Sequence, residues 1–194
     1  MPKGKDLDGI LKPLPEAPIQ AYFGSGVHTL GILHWILKQT GKADVWVSSY
    51  STSEPFLNGF CLMKMKGIIG NSAILLDQRA ARKTLKLERL MVGAFDHVFM
   101  GQNHSKILLI RNRSFEISVI TSQNQTYGAR AESTVITTNH DVFEVLLEQF
   151  IDIVGENAVE LDIAHGKGII TKNRGAGQVA DDTCTDWKPF GYEP

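Results

Sequence analysis

Residues 104–111 read His104-Ser105-Lys106-Ile107-Leu108-Leu109-Ile110-Arg111, and Thr121-Ser122-Gln123-Asn124 follows shortly downstream. The apolar run after Lys106 has the length and β-branched content of a buried strand, and Phe115 to Thr121 reads as its neighbour. Side chains alternate along a strand, so His104 and Lys106 are expected on one face, and Ser122 and Asn124 likewise share a face. If the strands are neighbours, a nucleophilic imidazole, a fixed ammonium and an amide donor converge on one spot. That set suits an anionic phosphoryl group.

Upstream of this pair, elements alternate. Ile19 to Phe23 is predicted as a strand, and Gly24-Ser25-Gly26 leads into a helix carrying Val27, Leu30, Leu33 and Leu37 at helical spacing, ended by Gly41. Ala43 to Ser49 reads as a strand. Pro55 opens a second helix through Leu57, Phe60, Cys61 and Met65, and Asn71 to Leu76 reads as a buried strand. A basic helix is predicted over Ala80 to Met91, with Leu87 and Leu90 inward. Asp96 to Met100, Lys106 to Arg111, Phe115 to Thr121 and Ser133 to Thr138 are further strands. Asp141 with Glu144 fits a capping box for a helix with Val142, Leu146, Phe150 and Ile153 inward, terminated by Gly155. The predicted class is α/β, a mixed sheet with helices on both faces.

Residues 1–18, with Pro13, Pro15 and Pro18, read as an extended N-terminal arm. The folded domain is expected over 19–155 and a C-terminal tail over 156–194, where Gly, Asp, Lys and Thr abound without periodicity. The 194 residues, 43% hydrophobic and 21% charged, have the balance of an ordinary globular protein. A net charge of -1 excludes binding to nucleic acid through a whole-molecule positive field, so any phosphate-binding surface must be a local groove. The chain opens without an apolar leader and offers no run long enough to span a bilayer. It is therefore expected in the cytoplasm, with no membrane partner. Cys61 and Cys184 are too isolated for a disulfide framework, and no metal or other cofactor is expected, because no His, Cys and carboxylate cluster shows ligand spacing in the sequence.

His104, Lys106, Ser122 and Asn124 together resemble the phospholipase D superfamily, whose pattern is His-x-Lys, four residues, Asp, then a Gly/Ser-Ser-x-Asn element. Thr121 stands where the family often has Gly, and Glu132 falls near a supporting acidic residue of many members. The strand ending Val47-Ser48-Ser49-Tyr50-Ser51 is also similar to the opening of one family half, so the resemblance covers residues 19–155. Arg111 stands where the family pattern has Asp, which reverses the charge at that position. Some restriction-nuclease branches lack that Asp too, and Glu132 or Glu116 are candidates for its orienting role.

The resemblance implies a phospholipase D-like half unit and a metal-independent phosphodiesterase. His104 would attack phosphorus to form a phosphohistidine, Lys106 and Asn124 would hold nonbridging oxygens, Ser122 would add a hydroxyl contact, and Glu132 would support the site. Single-motif members form homodimers with one composite site, so a homodimer is expected, and small members are mostly nucleases, which favours nucleic acid as substrate. Arg79, Arg82, Lys83, Lys86 and Arg89, with Lys64, Lys66, Arg111, Arg113 and Arg130, are candidates for a phosphate-tracking groove. Tyr22, Phe23, Tyr50 and Tyr127 are candidates for stacking on bases. The alternative is a catalytically impaired module of the same fold that binds nucleic acid or a protein partner.

Overall fold

Val45, Trp46 and Val47 are all fully buried, and this decides the architecture, because alternating side chains of one strand can be buried together only if both sheet faces are covered. A computed structural model describes residues 6–80, 85–126, 130–162 and 169–170. Its nine-stranded mixed sheet has the order β1-β7-β6-β5-β2-β3-β4-β8-β9. The strands are β1 (Ile19–Gly24), β2 (Ala43–Ser49), β3 (Ile69–Asp77), β4 (His97–Gly101), β5 (Ile107–Arg111), β6 (Glu116–Thr121), β7 (Glu132–Thr137), β8 (Val159–Asp162) and β9 (Ile169–Ile170). β2, β3 and β4 run parallel, whereas β5, β6, β7 and β1 continue antiparallel from β2.

One face packs under α1 (Thr29–Thr40), α2 (Glu54–Met65) and the short α3 (Glu88–Ala94). Ile32, Leu33 and Ile36 of α1 and Phe56, Leu57 and Phe60 of α2 meet Val45, Val47, Ile74 and Leu108 there. The other face lies under a single helix, α4 (His140–Asn157), whose Phe143, Leu147, Phe150 and Val154 cover Trp46, Leu75, Phe99 and Leu109. α1 stops because Gly41 takes φ 78°, in the left-handed region, while its N–H still bonds Leu37 O.

The α/β class and layering match the sequence reading, while several local expectations do not. The helix over Ala80 to Met91 is instead two short 3-10 turns, Gln78–Ala80 and Leu85–Leu87, leading into α3; residues 81–84 lie outside the described set. α4 is capped by Asn139, whose Oδ1 accepts from Val142 N at 2.9 Å, rather than by an Asp141–Glu144 box. It passes Gly155 and ends at Asn157, and its buried face is turned about one position, leaving Val142 and Ile153 exposed. With Asn139 at the N-cap, Asp141 and Glu144 fall out of the box positions, and Glu144 pairs with Arg111 instead. Residues 6–18, read as an extended arm, bury Leu7, Leu11 and Leu14 in the core, and β8 carries the sheet past residue 155. Cys61 is half-buried with its thiol on Gly93 O; Cys184 lies outside the described residues.

The parallel strands are tied at their entry by one polar knot. Lys64, at the end of α2, donates to Asp96, to Ser72 Oγ at 2.8 Å and to Gly70 O at 3.3 Å, while Asp96 accepts from Ser72 N at 2.8 Å. Burial pushes the Asp96 carboxyl up, but hydrogen bonds from Lys64 and Ser72 and the Lys64 charge outweigh it and hold the group below its ordinary value. A depressed folded pKa gives stability that is present above the unfolded value, about 3.9 for Asp, and is lost as pH falls through the folded value. With 41% of the Asp96 side chain exposed, screening limits its worth to about 1 kcal/mol. Asp96→Asn is therefore expected to lower neutral-pH stability by about that amount and to flatten the acid limb of the stability curve. Urea denaturation across a pH series checks this.

Candidate active site

Because β5 is antiparallel to β2, the residues just before β5 sit over the carboxyl ends of β2 and β3, where open α/β sheets leave a crevice. Ser48 opposes Ile107, and β6 returns beside β5 so that Thr121 N bonds Lys106 O at 3.0 Å. The two halves of the motif are thereby brought side by side, as expected. The means differ from the expectation. His104 and Lys106 precede β5, and Ser122 and Asn124 follow β6, so loop anchoring rather than strand alternation aims them.

That anchoring rests on Asn103, which the sequence reading missed. Its Nδ2 donates to Ser48 Oγ at 2.8 Å, with Leu75 O at 3.1 Å and Ser49 O at 3.2 Å also in reach. Its Oδ1 accepts from Ser105 N at 3.0 Å and from Ser105 Oγ at 2.7 Å, and the Ser48 and Ser105 hydroxyls are 2.5 Å apart. Since each hydroxyl has one proton and that of Ser105 goes to Asn103, Ser48 must donate to Ser105, which closes a ring of hydrogen bonds beneath His104. Asp77, also buried and also missed, accepts from Asn103 N at 2.9 Å and from Arg79 N at 2.7 Å. The available signal was Asn103 itself, a turn-forming amide immediately before the motif.

Lys106 Nζ lies 2.6 Å from His104 O and 3.4 Å from His104 Nδ1. Burial lowers the Lys106 pKa, and the Glu132 carboxylate partly restores it. Glu132 accepts from Ser122 Oγ, which in turn accepts from Ser133 N at 3.0 Å. Four of the expected residues, His104, Lys106, Ser122 and Glu132, thus form one linked cluster. Asn124 follows Ser122 on the same loop, half-buried, with Oδ1 inaccessible and lacking a hydrogen-bond partner. The residues between face inward: Gln123 Oε1 accepts from Thr29 N at 2.9 Å at the start of α1, and Gln125 N donates to Ser49 Oγ at 3.0 Å. Ser122 is exposed while its neighbour Gln123 and, two residues on, Gln125 are tied down.

Arg111 lies elsewhere. It ends β5, five residues beyond Lys106 at about 3.4 Å per residue, so roughly 17 Å away. Its guanidinium pairs with Glu144 and with Glu116 at 3.0 Å, and stacks over the Phe143 ring at 4.6 Å. The charge reversal at this position is therefore absorbed by local partners, and Glu116 belongs to that cluster rather than to the pocket. Glu116, His140 and Glu144 are a His and carboxylate set compact enough to share an ion, which linear spacing had not revealed. Arg111 already supplies the positive charge facing both carboxylates. Lys64 and Arg111 are thus both removed from the proposed basic groove. Arg79, Lys86, Arg89, Arg113 and Arg130 are exposed, whereas Arg82, Lys83 and Tyr127 lie outside the described residues.

No family model and no curated protein matches the sequence. Solved structures are similar in fold. Polyphosphate kinase from Porphyromonas gingivalis superposes with a TM-score of 0.51 at 14% identity, covering 69% of this chain and 26% of the kinase. Phosphatidylserine synthase from Haemophilus influenzae Rd KW20 gives 0.51 at 12% identity, over 74% of this chain and 40% of the synthase. Both have phospholipase D-superfamily folds. The chain has a phospholipase D-like fold. It spans about a quarter and two-fifths of these two proteins, respectively.

Asn103→Ala and Arg111→Ala separate site from scaffold. Each is expected to cost about 1–3 kcal/mol in urea denaturation, since Asn103→Ala strands buried hydrogen-bond partners and Arg111→Ala leaves the half-buried Glu116 and Glu144 without their shared cation. Only Asn103→Ala is expected to weaken tungstate binding at the His104 and Lys106 pocket, measured by calorimetric titration.

Proposed function

We propose that the chain is a metal-independent phosphodiesterase that cleaves nucleic acid through a phosphohistidine, in a site completed by a second copy of itself. The carrying observation is the cluster of His104, Lys106, Ser122 and Glu132 at the carboxyl ends of the parallel strands. The phosphotransferase neighbours support phosphoryl-transfer chemistry for this fold.

In this reading a ring nitrogen of His104 attacks phosphorus, a P–N bond forms and the P–O bond to the leaving group breaks. Lys106 and Asn124 hold the nonbridging oxygens, and Ser122 contacts them while Glu132 orients its hydroxyl and keeps Lys106 charged. The departing oxygen takes a proton from His104 of the second copy. That imidazole then removes a proton from water as the water breaks the P–N bond. Exposed Arg79, Lys86, Arg89 and Arg130 support a polyanionic substrate, whereas Arg113 lies past the far end of β5.

A second copy is also supported by an exposed apolar stripe across β6, β7 and β1. Ile120 and Val135 are directly opposed, at 40% and 38% exposure, and Phe23, at 80%, lies beside Ser133 one residue from Glu132. A two-fold axis beside this stripe covers it with its own copy and brings two imidazoles to one pocket.

Cleavage of plasmid and oligonucleotides in EDTA is the test. Wild type is expected to cut and His104→Ala to lose at least about 100-fold. Binding without cleavage by wild type would favour the impaired module instead. Because Lys106 must be charged to hold phosphate and its pKa is lowered, activity is expected to fall with rising pH earlier than an ordinary lysine would dictate. For the dimer, sedimentation of wild type is expected to show a two-chain species that Val135→Asp converts to an inactive monomer. A wild-type monomer that cleaves would overturn the composite site alone.

A further inference from the structure

An exposed imidazole that acts as a nucleophile must be held in one orientation, usually by a carboxylate on its second nitrogen. Among the described residues no carboxylate pairs with His104. Its Nδ1 edge meets the Lys106 ammonium at 3.4 Å, a long contact. Its face meets the ring of Tyr50, with centroids 5.3 Å apart and planes inclined by 59°. That separation lies within the range in which aromatic rings attract beyond simple burial.

The two rings are registered by the same group. Tyr50 O accepts from Asp77 N at 3.4 Å, while the Asp77 carboxylate holds Asn103 N, the residue before His104, at 2.9 Å. Asp77 is buried, so the platform beneath both rings is rigid. Tyr50 is itself half-buried and follows Ser49, whose Oγ donates to Ser51 O at 2.8 Å. The tyrosine is therefore fixed from both sides of its own backbone before it touches the histidine.

We propose that Tyr50 is the positioning residue of His104: its ring, rather than a carboxylate, sets the imidazole angle from which the histidine attacks phosphorus. The inference rests on the reading of His104 as nucleophile. It assigns Tyr50 a role different from stacking on a nucleobase, which would act on substrate affinity. The aromatic face is the working part, so the hydroxyl is dispensable.

Tyr50→Phe and Tyr50→Leu, with wild type, test this by steady-state cleavage and by NMR of the His104 ring protons. Tyr50→Phe is expected to keep kcat and the His104 shifts. Tyr50→Leu is expected to lower kcat about tenfold at unchanged KM, because reacting-group orientation is lost while binding is not. The His104 ring-proton resonances should move and broaden in Tyr50→Leu as the neighbouring ring current and the restraint disappear. A rise in KM alone in Tyr50→Leu would assign Tyr50 to base stacking and overturn the proposal. Unchanged His104 resonances in a folded Tyr50→Leu would overturn it as well, with no reference to turnover. Absence of cleavage by wild type would instead remove the phosphodiesterase reading, and the resonances would still report whether Tyr50 restrains His104.

Discussion

The hydrogen-bond ring through Asn103, Ser48 and Ser105 is the constraint on which the site depends. It lies where three strands end and a loop must turn without regular backbone pairing, and a buried loop is tolerated only when its polar groups are satisfied. One amide side chain does most of this, by meeting two strand ends with its nitrogen and its own loop with its oxygen. Each member of the ring both gives and receives, so loss of any one strands a donor or acceptor on the others. Asp77 adds a buried charge that fixes the same loop from β3.

The second loop follows the same logic by different means. Gln123 reaches the first turn of α1 and Gln125 reaches the end of β2, so the loop has these two residues in the core while Ser122 stays exposed beside Glu132. Electrostatics then refine the result. Lys106 is close enough to the core for burial to weaken its charge, and Glu132 is close enough to restore part of it without neutralising the pocket. The outcome is a cation that gains most when an anion arrives.

Much of this was legible in the chain. The strand run from Ile107, the Val45-Trp46-Val47 run and the Gly41 stop gave the layered α/β sheet, since burial on both faces and left-handed caps have local signatures. His104, Lys106 and Ser122 were singled out from residue type and spacing and Glu132 from the family resemblance, and the structure brings these four together. The supports were not. Asn103, Asp77, Gln123 and Gln125 act through partners distant in sequence, and nothing in their immediate neighbours records those partners. The rotation of α4 escaped for a similar reason. Val142 and Phe143 are equally apolar, and only the position of Trp46 beneath the helix decides which one is buried.

Arg111 bears on how such chains are compared. Its charge is opposite to that of the family pattern, yet it sits between Glu116 and Glu144 on separate elements, so the three side chains form one electrostatic unit. An Asp here by itself would set three carboxylates against one another over the Phe143 ring. The residue at 111 is interpretable only together with those at 116 and 144.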